Sequence, residues 1–179
     1  MRLFIAFEPD SKTSQYLTML QSEMALSGQG LRPATGHHIT LRFLGELDEE
    51  KVPIIKKRLS CLRFKGFAAN SAGIGFFPDN KNPRVIFIGI EPDDKLKRLK
   101  EMVDDRIRGL VARQDKRFCP HITLARVKKE LGSDAINKIM QLKTDKHVFA
   151  VDSISLYKST LTQSGPIYSK ILTIPAEKG

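Results

Sequence analysis

Cysteine, histidine and acidic residues are all scarce in this chain of 179 residues, and long apolar runs are missing altogether. Each shortage excludes something. The two cysteines, Cys61 and Cys119, form no CxxC motif and suggest no disulfide framework, so a cross-linked secreted scaffold is not expected and a reducing cytosol fits best. No apolar run approaches the roughly 18 residues that crossing a bilayer needs. The opening MRLFIAFEPD carries one basic residue and a short apolar run closed by Glu8, Pro9 and Asp10, which reads as a first strand and not as a signal peptide. No linker or low-complexity stretch divides the chain. Acidic residues number 20 against 30 lysines and arginines, a net charge of +10. So basic a surface favours an anionic partner, with nucleic acid first among the choices. The remaining composition, 41% hydrophobic and 28% charged, is that of an ordinary globular protein.

What is present is a repeat. Only four histidines occur, His37, His38, His121 and His147, and two of them open the same tetrapeptide. His38-Ile39-Thr40-Leu41 and His121-Ile122-Thr123-Leu124 lie 83 residues apart (121 − 38 = 83), nearly half the chain. A turn-like residue precedes each, Gly36 or Pro120, and an arginine follows each, Arg42 or Arg126. One His-x-Thr on a strand is commonplace. Two at this separation suggest two similar lobes, each contributing one such strand.

Period-2 alternation puts His38, Thr40 and Arg42 on one face of the first strand and Ile39, Leu41 and Phe43 on the other, with His37 pointing away from His38. On the second strand, Arg126 is out of phase with His121 and reaches the same face only if the strand twists, bulges or ends there. A histidine and a threonine two residues apart can touch one small anion together. Two such pairs, face to face, would surround a phosphate with two imidazoles and two hydroxyl donors. One neutral imidazole can take a proton from an attacking oxygen, and the other, protonated, can give one to a leaving oxygen. The hydroxyls can hold the oxygens on which charge develops. A metal site is the competing reading, with His38, His121 and Cys119 as ligands. No Asp or Glu lies within either repeat, so no metal is expected, and Cys119 reads as a small packing residue beside the site.

The remaining pattern supplies the scaffold. Strands are expected over 2–7, 38–44, parts of 64–77, 85–90, 118–127, 148–156 and 168–174. Helices are expected from about 11 to 26, after Asp48, after Pro92 and up to about Leu142. The segment 78–83 is a turn and Arg113 to Arg117 a basic, polar loop. Together these give an α+β fold with mainly antiparallel sheets.

The stretches RLFIAFEP, GHHITLRFLGE, PHITLARVK and SLYKSTLTQSGPIYSKI resemble the 2H phosphoesterase superfamily, in particular its RNA 2′,3′-cyclic phosphodiesterases, also called 2′-5′ RNA ligases. The resemblance spans nearly the whole chain. It implies one domain over 1–179, bilobal and pseudo-two-fold, with two mainly antiparallel sheets, helices outside and a cleft between the lobes. It implies hydrolysis of an RNA terminal 2′,3′-cyclic phosphate to a 2′-phosphomonoester without metal or cofactor, and a reverse 2′-5′ ligation. By position, His38 resembles the general acid and His121 the general base. Thr40 and Thr123 resemble the phosphate ligands, and Arg126 a substrate contact. Arg42, sharing the face of His38 by alternation, is added as a second substrate-binding residue. The expected partner is RNA with a cyclic phosphate end, met in the cytoplasm by a monomer. Two alternatives stand beside this: a phosphodiesterase acting on a small cyclic phosphate such as ADP-ribose 1″,2″-cyclic phosphate, and a non-enzymatic RNA-binding module of the same fold.

Overall fold

The first apolar run becomes β1 (Arg2–Phe7), which is buried on both faces and sits near the middle of the sheet. Leu3, Ile5 and Phe7 enter the main core, while Phe4 and Ala6 pack with Tyr157 on the opposite side. The computed structural model describes residues 1–27, 30–112, 117–163 and 165–177. In chain order β1 is followed by α1 (Ser11–Ser27), β2 (Leu31–Pro33), β3 (Ile39–Glu46), α2 (Lys51–Ser60), β4 (Phe67–Phe77) and β5 (Val85–Glu91). Then come α3 (Asp93–Arg106), β6 (His121–Val127), α4 (Ser133–Met140), β7 (Val148–Val151), β8 (Ser153–Thr162) and β9 (Gly165–Pro175).

The named strands pair antiparallel throughout, in the order β7-β4-β5-β6-β3-β1-β8-β9, with β2 beside β6. The expected two halves are therefore joined edge to edge through β3 and β6. Their contact is one residue pair, Ile39 opposite Ile122. Each is the middle residue of a His-x-Thr, so the local two-fold of the molecule runs through this pair.

The helices cover one face of the sheet, and they do so crosswise. Helix α1 packs on β6 and α4, whereas α3 packs on β3 and α2. Polar ties follow the same crossing: Gln21 of α1 donates from Nε2 to the Leu124 carbonyl (2.7 Å) and the Ala34 carbonyl (3.1 Å). The core beneath is formed by Leu17, Leu20 and Met24 of α1, Leu96, Leu99 and Val103 of α3, and the inward residues of the central strands.

Three expectations differ in detail. Arg32-Pro33, read as a loop, forms the short strand β2 on the far end of β6. The run 148–156 splits at Asp152, because β7 pairs with β4 in one half while β8 pairs with β1 in the other. Alternation is continuous across that change of partner, so the sequence alone carries no sign of it. Of the basic loop read at 113–117, residues 113–116 lie outside the described residues. Among those described, no helix is long and apolar enough to cross a membrane.

Candidate functional site

Both His-x-Thr pairs open onto one cavity of about 580 Å³, on the sheet face away from the helices. The antiparallel register through Ile39 and Ile122 produces this. At the next positions it turns His38 toward Thr123 and Thr40 toward His121, because partners in an antiparallel ladder run in opposite directions. Ile39 and Ile122 point to the core, at 0% and 1% exposure, so their neighbours on each strand point to the cavity. His38, Thr40, His121 and Thr123 are each half-buried there.

A bulge follows each motif at the same place. On β3, the pairing with β1 passes from Thr40 to Arg42 and skips Leu41. On β6, the pairing with β5 passes from Thr123 to Ala125 and skips Leu124. An extra residue reverses the alternation beyond it. Arg126 is thereby turned onto the face of His121 and Thr123 and lines the cavity. Arg42 is turned off it, which corrects the expectation of a substrate-binding role. Arg42 is 5% exposed and lies under α3, where its guanidinium donates to the Ala112 carbonyl (2.5 Å) and faces Asp104 (3.5 Å). Phe43 takes the cavity position in its place and is 57% exposed. His37 points to α1, within 3.3 Å of Gln21 Oε1, as alternation requires.

Aromatic rings hold both imidazoles. Phe4 and Tyr168 pack on His38, at centroid distances of 5.3 and 5.1 Å. Phe77 and Phe87 pack edge-on against His121, at 5.0 and 5.2 Å. Alternation within the motifs did not find these rings, yet a signal for two of them was in the sequence. LFIAFEPD at 3–10 and IFIGIEPD at 86–93 repeat at the same 83-residue offset, and they place Phe4 and Phe87 in equivalent positions.

Burial among these rings pushes both histidines down from the ordinary imidazole value. His38 falls to about 4, with burial the main cause. The Glu8 carboxylate works upward, and the charges of His121, His37 and Arg126 work downward. His121 is also lowered by burial, partly offset by a hydrogen bond to the Cys119 carbonyl. That bond, 2.7 Å from Nδ1, requires a proton on Nδ1 and leaves the Nε2 lone pair as the ring's base. Glu8 is anchored by Lys170 (2.7 Å) and by the Tyr157 hydroxyl (2.8 Å), and Tyr157 stacks beneath Phe4.

The cavity wall is cationic. Arg2, Arg32, Lys100, Arg117 and Arg126 line it, and no Asp or Glu does so among the described residues. Cys119 lines it as a free, exposed thiol. Among the described residues, no three His, Cys, Asp or Glu side chains gather as a metal-ligating group. The arrangement can bind a phosphate between two imidazoles, donate to its oxygens from two hydroxyls, and accept and deliver protons on opposite sides of it.

Known proteins share this pattern. The family model of the 2′-5′ RNA ligase superfamily matches residues 9–163. A protein of Archaeoglobus fulgidus named RNA 2′,3′-cyclic phosphodiesterase is 34% identical over 174 residues, covering 96% of this chain and 98% of its own length. Another so named, from Methanocaldococcus jannaschii, is 35% identical over 176 residues, 96% of this chain and 98% of its own. Among solved structures, one from Thermus thermophilus superposes with a TM-score of 0.79 at 29% identity, covering 98% of this chain and 97% of that one. Escherichia coli LigT in its apo form superposes with a TM-score of 0.75 at 21% identity, covering 99% and 98%, a likeness of fold.

Proposed function

The chain belongs to the 2′-5′ RNA ligase superfamily, and from that membership we infer that it is an RNA 2′,3′-cyclic phosphodiesterase that yields a 2′-phosphomonoester. One observation carries the reading at the level of atoms: the Ile39–Ile122 pairing, which turns both His-Thr pairs onto a single cationic cavity. His121, its Nδ1 proton engaged by the Cys119 carbonyl, presents Nε2 to a water molecule and takes its proton as the oxygen attacks phosphorus. The bond from phosphorus to O3′ breaks, and His38 delivers its proton to that oxygen. Thr40 and Thr123 donate to the non-bridging oxygens, where negative charge accumulates. With an RNA 5′-hydroxyl in place of water, the same step forms a 2′-5′ bond. Acid, base and charge stabilisation all come from the chain, so we assign no role to a metal. Both histidines come from one polypeptide, which makes the monomer a sufficient working unit. Two free, exposed cysteines suit a reducing cytosol. The cationic wall holds the RNA backbone, and binding through it weakens steeply as salt rises.

The test is a short RNA ending in a 2′,3′-cyclic phosphate, incubated with EDTA, its 2′ and 3′ monoester products resolved. Turnover to the 2′ product is expected. His38→Ala and His121→Ala each lower kcat by roughly 10²–10⁴-fold, the usual worth of a positioned acid or base, with circular dichroism unchanged. Failure of turnover would favour a binding module. Sensitivity to EDTA would favour a metal enzyme, and near-normal rates in both variants would remove the assigned roles.

A further inference from the structure

The two-fold relation makes the cavity nearly symmetric at the histidines and threonines, and then breaks that symmetry three residues past each threonine. Phe43 on β3 and Arg126 on β6 are equivalent positions (126 − 43 = 83), one aromatic and one cationic. Beyond Thr123 the cationic wall is doubled. Strand β2 pairs with β6 so that Arg32 lies directly opposite Arg126, flanked by Leu31 opposite Val127 and Pro33 opposite Ala125. Cross-strand partners project from the same face of a sheet, and like charges placed directly opposite destabilise it. Both arginines are exposed and both line the cavity.

The guanidinium of Arg32 is also seated. It lies against Gly165 at the start of β9, so closely that a Cβ there would come within 2.8 Å of Arg32 Nη2, and Pro166 and Leu161 of the same hairpin line the cavity beside it. Two guanidinium forks held side by side on a wall without carboxylates match the oxygens of a phosphodiester. They lie beyond Thr123 by three residues, roughly 10 Å along the strand, less what their long side chains lean back. That is about one nucleotide step from a phosphorus held between the imidazoles.

We propose that Arg32 and Arg126 form a second phosphate subsite, which takes the internucleotide phosphodiester immediately 5′ of the terminal, cyclic-phosphate nucleotide. The subsite makes the enzyme prefer an oligonucleotide end to a mononucleotide, and it fixes the direction in which the strand enters. The proposal rests on the phosphodiesterase reading given above, and its test separates the two.

Steady-state rates are measured with a mononucleoside 2′,3′-cyclic phosphate and with a dinucleotide bearing the same cyclic end. The dinucleotide is expected to have the higher kcat/KM. Arg32→Gln shrinks that advantage about tenfold, the worth of one hydrogen-bonded charge, and Arg32→Lys shrinks it less. The slope of log kcat/KM against log salt for the dinucleotide loses about 0.7, the increment for one phosphate contact on a single strand. Lys56→Gln, on the exposed face of α2, serves as the control and leaves the ratio where it was. If Arg32→Gln depresses both substrates equally, the pair serves the scissile phosphate and the proposal is overturned. An unchanged ratio overturns it as well. If the parent protein turns over neither substrate, the phosphodiesterase reading fails instead. The subsite is then read by the affinity of a dinucleotide 2′-phosphate over a nucleoside 2′-phosphate, where loss of the difference in Arg32→Gln supports the subsite and its persistence overturns it.

Discussion

At Leu41 and Leu124 the chain takes one residue more than its partner strand, and this decides which side chains meet the substrate. Alternation read from the sequence assigns the first residues of each motif correctly, because no bulge intervenes between histidine and threonine. Beyond the bulge it assigns every residue to the wrong face. Arg42 and Arg126 therefore exchange places relative to strict alternation: Arg42 is buried against Asp104 of α3 and Arg126 faces the cavity. A bulge is set by pairing with a neighbouring strand, and a single strand's pattern holds no record of that neighbour. The consequence for Arg42 is measurable. Its removal leaves Asp104 with Lys100 as its remaining cation and the Ala112 carbonyl without its donor. Arg42→Ala is expected to lower stability by about 2–4 kcal/mol, somewhat less than the usual loss of one partner of a buried pair because Lys100 stays. Its kcat, normalised to folded protein at a temperature well below unfolding, stays within about twofold of the parent, a change of under 0.5 kcal/mol. A large fall in kcat at full folding would return Arg42 to the site.

The elements that hold the imidazoles are β1 and β5, and their likeness was legible in the sequence as the pair LFIAFEPD and IFIGIEPD. The motif strands draw attention through chemistry, whereas these supporting strands carry only apolar residues whose role depends on what lies across them. Phe87 illustrates the dependence. Its ring stacks on Phe77 at 4.2 Å and packs against His121, and its other flank lies on Gly75 of β4. A methyl group at position 75 would overlap that ring. Gly75→Ala must therefore move Phe87, and the displaced ring disturbs the orientation of His121, for which misplacement of about 1 Å can cost 10²-fold in rate. A fall in kcat with KM little changed is the expected outcome. The double variant Gly75→Ala, Phe87→Leu, which makes room for the methyl, should recover part of it. If Gly75→Ala alone leaves kcat intact, the aromatic packing does not position the base.

The crosswise helices make the cleft a property of the whole molecule. Helix α1 is held on the strand that carries His121, and α3 on the strand that carries His38, so neither half can open without uncovering the core of the other. Gln21 on α1 and Asp104 on α3 are 83 residues apart and make the equivalent polar ties to β6 and β3. Alternating faces and helical spacing disclosed the elements but not this exchange, which depends on contacts between residues about a hundred positions apart. Because the halves unfold together, a proton bound in the cleft bears on global stability. His38 and His121 are lowered in the folded state, His38 to about 4, chiefly by burial. Below the ordinary imidazole value of about 6.5 the unfolded chain takes up protons that the folded one refuses. Stability therefore falls as pH drops from about 6.5 toward 4 and is fully kept above that window. A phosphate between the imidazoles favours their charged forms and works in the opposite direction. Thermal unfolding followed from pH 7 to 4.5 should show a fall in Tm that the His38→Gln, His121→Gln double variant lacks in this window. Inorganic phosphate should restore the parent's Tm more at pH 5 than at pH 7. The same displacement applies to catalysis. The bell-shaped profile of kcat/KM, which reports the free protein, is expected to centre on the acid side of 6.5, and that of kcat, which reports the bound state, to lie at higher pH. Coincident profiles, or a phosphate effect indifferent to pH, would show that the two imidazoles do not share one anion.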